Sequence, residues 1–152
     1  MKYLIVILTI FRLSSALCSQ EIYQKSKNKD IEALAKEYTQ LKAKRKALAP
    51  GVFDKDLSGA GGRLQQVLSE LGLQLGIPDY RREDIIRLMG QPDAVMRAGD
   101  YQPGSLGHSA TGSIISKEVE HLVYFWRGWH DYLYFISKNG TIQRAEWYFA
   151  GE

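Results

Sequence analysis

The sequence predicts an α+β domain in which N-terminal helices pack on a three-stranded antiparallel C-terminal β-meander. Three observations carry that prediction. Apolar residues recur at helical spacing between Asp30 and Met89. The last third is dense in aromatic and β-branched residues broken by short turns. Asn139-Gly140 lies between two such runs, and this pair tolerates the positive φ angles of a tight hairpin.

The N-terminus reads as an export signal. Lys2 supplies a positive charge, Tyr3 to Phe11 (YLIVILTIF) is apolar, and Ser14, Ser15 and Ala16 are small. Cleavage near Ala16 or Cys18 makes 1–18 a secretory signal peptide and 19–29 a polar, mobile linker. The apolar run is shorter than the ~20 residues that span a bilayer, so no stable membrane insertion is expected once the signal is removed. The predicted location is extracellular, or periplasmic in a bacterium. Cys18 is the single cysteine, so residues 30–152 must fold as one domain without an internal disulfide. The formal charge is +3, but without Lys2 and Arg12 the 20 basic residues fall to 18 against 17 acidic ones. A mature charge of +1 argues against nucleic acid as a partner.

The helical part is expected over 30–90. Ile31, Leu34, Tyr38, Leu41, Arg45 and Leu48 form one stripe, and Pro50 stops the helix. The basic run Lys42 to Lys46 (KAKRK) reads as a solvated helix end whose charge suits the dipole. Next, Asp54, Asp56, Ser58 and Gly59 match the first, third, fifth and sixth positions of a calcium loop. Position twelve is Gln65 where a bidentate glutamate belongs. The segment otherwise reads as a glycine-rich turn capping the next helix. Calcium through Asp54, Asp56 and Ser58 is thus the one cofactor the sequence suggests. Leu64, Val67, Leu68 and Leu71 place a second helix, and Arg82 to Met89 a third, closed by Gly90 and Pro92.

Residues 97–117 hold four glycines and a proline and read as a mobile loop. The meander over 118–150 comprises Val119–Trp126, Asp131–Ser137 and Thr141–Phe149. A two-residue turn at Asn139-Gly140 pairs Ile136 with Gln143, Tyr134 with Ala145 and Tyr132 with Trp147. Tyr132, Tyr134, Ile136, Ala145 and Trp147 then face the helices, while Leu133, Phe135, Arg144 and Glu146 face water; a three-residue turn would swap the faces. Asn139-Gly140-Thr141 is also an N-glycosylation sequon, relevant if the source is a eukaryote.

Leu88, Gly90 and Pro92, followed by a loop, Tyr124 and Trp126 on a strand, and Asn139-Gly140 before a final strand, resemble the SmpA/OmlA small outer-membrane lipoprotein pattern. The likeness covers roughly the last 70 residues. It implies helices on one face of a three-stranded sheet and a role in binding other envelope proteins. The chain departs from that pattern in having Leu17 before Cys18, where a lipid-modified cysteine needs a small residue, and in the added helices from Asp30 to Gly76.

Function centres on VYFWRGWHDYLYF, Val123 to Phe135, with seven aromatics in thirteen residues. Strand alternation sends most of them to the core and leaves the tip. Arg127, Trp129, His130 and Asp131 are therefore the candidate residues for binding a protein or glycan partner; Trp, Tyr and Arg dominate interface hot spots, and aromatic platforms stack on sugars. The alternative is a hydrolase using His130 and Asp131 with a further carboxylate, Glu120 or Glu146, and with His121 also titratable. Adjacent strand residues point apart, but at a hairpin tip a local Asp–His hydrogen bond can form. No nucleophile motif accompanies them, so no catalytic residue is assigned.

Overall fold

The computed structural model describes residues 30–49, 52–97 and 118–150. The signal peptide and linker expected over 1–29, and most of the loop expected over 97–117, lie outside the described residues. The chain divides into two compact units, Met1–Ala33 and Leu34–Glu152. Residues 30–33, the described part of the first, form the opening turn of a helix. The second unit carries the rest of that helix, three further helices and the sheet.

The first helix, α1, spans 30–47. Then come α2 (Lys55–Ser58), α3 (Arg63–Leu75), α4 (Arg82–Met89) and the strands β1 (Ala94–Arg97), β2 (Val119–Phe125), β3 (Asp131–Lys138) and β4 (Thr141–Phe149). The fold is α+β, with helices preceding an antiparallel sheet. The sheet has four strands, not three, in the order β1-β2-β3-β4. β1 is Ala-Val-Met-Arg, too short to show a period before the glycine-rich stretch begins. It pairs Met96 with His121 and Arg97 with Glu120.

Helix α3 forms where its apolar spacing placed it. Leu64, Val67, Leu68, Leu71 and Leu75 are all but inaccessible. It lies on β3 and β4 through two glycines: a Cβ on Gly72 would stand 2.9 Å from Leu133 Cδ1, and one on Gly76 would stand 2.6 Å from Ala145 Cβ. A side chain at Gly76 would hold the layers apart, whereas one at Gly72 would press on the end of the Leu133 side chain. On α4, Ile85 and Met89 face inward, Asp84 accepts a hydrogen bond from the Arg81 amide, and Gly90 closes the helix at φ 78°.

The β3–β4 register differs from the expected one. Lys138 pairs with Thr141 and Ser137 with Ile142, as a two-residue Asn-Gly turn requires. A bulge then intervenes, and Ile136 pairs with Arg144, Phe135 with Ala145, Tyr134 with Glu146 and Leu133 with Trp147. Gln143 is the extra residue, and one extra residue exchanges the faces of everything beyond it. Leu133 and Phe135, expected to face water, meet the helices with Ala145 and Trp147. Tyr132, Tyr134 and Ile136, expected to face the helices, join Met96 and Val123 in a second apolar cluster made of sheet residues, ringed by Ala94, Val119, Phe125, Trp129 and Tyr148. Every residue of β3 from Asp131 to Ser137 is consequently buried.

Candidate binding pocket at the β2–β3 turn

Residues 126–130 form the turn between β2 and β3. Gly128 supplies the positive φ of 67° on which the reversal depends. The Trp126 and Arg127 amides both donate to the Asp131 carbonyl, at 3.1 and 2.9 Å, and the Ala150 amide donates to the His130 carbonyl at 2.8 Å. The turn is thus tied to the end of β4.

Helices α1 and α2 anchor it from the other side. Arg45 Nη1 donates to the carbonyls of Phe125 and Trp126, each at 2.7 Å. Lys42 pairs with Asp93 at 2.9 Å, and Asp93 accepts from the Phe125 amide. Part of the expected solvated basic end is therefore turned inward to hold the turn. The indole of Trp126 donates to the Leu57 carbonyl at 3.1 Å, and Arg127 Nε donates to the Ser58 carbonyl at 3.1 Å. The glycine-rich segment is the seat of the turn. A Cβ at Gly62 would fall 2.4 Å from the Lys55 carbonyl oxygen, so only glycine fits that close backbone crossing.

On this seat lies a pocket of about 240 Å³, lined by Ala60, Gln65, Trp126, Arg127, His130, Asp131, Phe149 and Ala150. Three of the four tip residues singled out from the sequence converge on it. The Asp131 carboxylate is buried, and its Oδ2 meets Arg127 Nη1 at 3.3 Å and His130 Nδ1 at 3.1 Å. The adjacent pair can interact because His130 belongs to the turn and Asp131 to the strand. Arg127 also lies over the Trp126 ring, 4.0 Å from its centroid. The fourth residue, Trp129, is carried to the opposite face, where its ring packs edge-on against Phe125 at 4.8 Å and Tyr132 at 5.8 Å.

Four lining residues, Ala60, Gln65, Phe149 and Ala150, escaped sequence reasoning, and two of them carry chemistry. Phe149 looked like the end of a core strand, yet it is 53 % exposed, stacked on Trp147 at 5.3 Å with nearly parallel rings. Gln65 was noted only as a mismatch to a calcium loop. Its side-chain oxygen accepts from the Gly61 amide at 2.7 Å, which leaves its NH2 as a donor.

The first of the calcium-like residues is otherwise occupied. Asp54 caps α2, not the longer helix after it: Oδ1 accepts from the amides of Asp56 and Leu57, and Oδ2 pairs with Lys44 at 3.1 Å. The Lys44 ammonium holds the Asp54 carboxyl below its ordinary range. Residues 55–58 wind as helix, so Asp54, Asp56 and Ser58 do not alternate around a common point. Among the described residues no group of three or more His, Cys, Asp or Glu could hold a metal ion. Among them, too, no helix is long and apolar enough to cross a membrane. Asn139 sits on its exposed turn with φ 50°.

Two of the further titratable residues named from the sequence, His121 and Glu146, gather around Tyr134 on the far face. Tyr134 donates to Glu146, which also accepts from Arg144. The Tyr134 bond is the main reason the Glu146 carboxyl lies below its usual range, and burial pushes the Tyr134 phenol well above its own. His121 is buried against the Tyr134 ring at 5.2 Å, and burial lowers its pKa. Glu120 instead joins Arg82 and Arg97, at 2.6 and 3.1 Å. None of these side chains lines the pocket.

No family model, curated protein or solved structure matches this chain.

Proposed function

We propose that this protein is a secreted, non-catalytic binding module that engages a protein or glycan partner through the pocket at the β2–β3 turn. The observation that carries the reading is the convergence of Arg127, His130 and Asp131 on a concavity with an exposed aromatic wall. Fixed polar groups beside an aromatic surface are what orient a ligand and supply its contact area. The side chains are held before any ligand arrives: Asp131 fixes His130 and Arg127, and α2 fixes Arg127 again. Such preorganisation reduces the entropy lost on binding.

The contact between His130 and Asp131 also favours a second reading, a general base oriented by a buried carboxylate. The composition of the wall counts against it. Asp131 is the single carboxylate among the lining residues, and no Ser, Thr, Cys or Lys stands there as a nucleophile. An export signal at the N-terminus supports the secreted assignment, and the sequon at Asn139 lies where a glycosyltransferase could reach it.

The test is capture of partners from the native extracellular fluid by immobilised full chain. Phe149→Ala and His130→Ala alter side chains at the pocket mouth and should abolish capture while keeping the melting temperature close to wild type. Capture that survives both substitutions refutes the pocket reading. Hydrolysis of ester or glycoside substrates, lost in His130→Ala, would establish the enzyme instead.

A further inference from the structure

We infer that the ligand of this pocket is a neutral saccharide ring, a conclusion that rests on the binding reading above. Charge is the first argument. The wall contains one guanidinium, Arg127, and one carboxylate, Asp131, and these are paired with each other at 3.3 Å. An anionic ligand would meet an Arg127 whose charge Asp131 already offsets. A cationic ligand would have to draw Asp131 from Arg127 and His130. A ligand with hydroxyl groups needs neither rupture, because each hydroxyl both donates and accepts alongside bonds already made.

Shape is the second argument. Phe149 lies nearly parallel to Trp147, 9° between ring planes, so a neighbouring aromatic side chain supports its ring. At 53 % exposure it offers ring surface to solvent at the pocket rim. A flat aromatic surface with a negative π face matches the row of C–H groups on one side of a pyranose. Donors and acceptors of different kinds stand around it: the Gln65 NH2, the His130 imidazole and the edge of the Asp131 carboxylate. A void of about 240 Å³ suits one ring and not an extended peptide. A single sugar unit, at a chain end or on a branch, is the corresponding ligand.

The experiment uses the full chain on an array of neutral and acidic oligosaccharides, followed by titration with the methyl glycosides of glucose, galactose, mannose and N-acetylglucosamine. Tryptophan fluorescence is the readout, because Trp126 lines the pocket and Trp147 stacks on Phe149. At least one neutral glycoside should bind saturably. Phe149→Ala and Gln65→Ala should each weaken it by about tenfold, the equivalent of roughly 1.4 kcal/mol. Both residues are surface-accessible, and an unchanged melting temperature confirms that the variants fold. Binding of acidic glycans alone, lost in Arg127→Ala, would overturn the neutral class. If no glycan binds but partner capture still requires His130 and Phe149, the saccharide inference fails and the pocket reading stands. Saturable binding of a neutral sugar that ignores both substitutions would overturn the site itself.

Discussion

Replacing Arg45 tests how the turn is held. Its Nη1 donates to two consecutive carbonyls, Phe125 and Trp126, at 2.7 Å each, across a sequence separation of about 80 residues. Hydrogen bonds to a charged group contribute roughly 1.5–3 kcal/mol apiece. The two here share one nitrogen and the site is only half-buried, so their sum belongs toward the low end, about 2–4 kcal/mol. Arg45→Met keeps the aliphatic stem and its packing while deleting the donors. A chain of this length loses roughly 2–4 °C of melting temperature per kcal/mol, which predicts a fall of about 5–15 °C. Lys46→Met is the control. Lys46 is exposed on the same helix end, and its loss should stay within about 0.5 kcal/mol. Arg45→Lys should fall between the two, because the lysine side chain is one bond shorter and carries its ammonium short of the position Nη1 occupies between the two carbonyls. Thermal melts by circular dichroism measure all three. If Arg45→Met melts with Lys46→Met, the basic run is a solvated helix end after all, and α1 does not organise the pocket.

Four further perturbations discriminate equally well. Gly76→Ala forces a Cβ to within 2.5 Å of the Gly72 carbonyl oxygen and 2.7 Å of the Ala145 amide nitrogen, rigid atoms both, and should cost about 3 kcal/mol or more by urea titration. Gly72→Ala meets only the end of the Leu133 side chain, which must shift by a few tenths of an ångström, and gains helix propensity of about 1 kcal/mol, so its net effect should be smaller than that of Gly76→Ala. Acidification should weaken the fold through His121. Burial depresses its folded pKa below the ordinary 6.5, so the unfolded chain takes up its proton first. The stability present above pH 6.5 is therefore lost as pH falls from there toward the folded value, and melts of His121→Phe should show a flatter dependence over that range. A second loss sets in at lower pH as Glu146, whose folded pKa lies below 4.5, takes up its proton. Removing calcium with a chelator should leave the melting temperature unchanged, because Lys44 and two backbone amides already engage the Asp54 oxygens. A downward shift would mean that the ion displaces Lys44.

Period and punctuation made most of the fold legible. Leu64, Val67, Leu68 and Leu71 declared α3, and glycine and proline closed α4 where the chain turns. The tip residues were legible because the turn between two aromatic strands could lie only near Arg127 to His130. Their separation was not. Trp129 and His130 are neighbours in sequence, yet one packs into the sheet's second face and the other enters the pocket. The turn geometry that parts them depends on Gly128 and on the Asp131 carbonyl accepting two amides, which no residue-type pattern reveals. The remaining pocket residues were hidden for a related reason. Gln65 and Phe149 meet the turn only after the layers have assembled.

The bulge at Gln143 answers two demands that no residue pattern within the hairpin records. Ile142 is fully buried opposite Ser137, on the face that also carries Phe135. Ala145 must sit on that face too, because the backbone of α3 approaches it at Gly76. Positions 142 and 145 are an odd number apart, so a regular strand would send them to opposite sides. The two demands are imposed from outside the hairpin. The Ile142 amide donates to the Tyr80 carbonyl at 3.0 Å and the Arg82 amide to that of Gly140 at 2.9 Å, while α3 fixes Ala145. One extra residue between them satisfies both, and exposed Gln143 is the residue that can be spared. Across the slip Trp147 and then Phe149 share the helix side with Ile142, Leu133 and Asp131, and Phe149 becomes a wall of the pocket. With Ile142 held on that face, a β4 without the bulge would turn Phe149 away from Gln65 and His130, and the site would lack its aromatic surface.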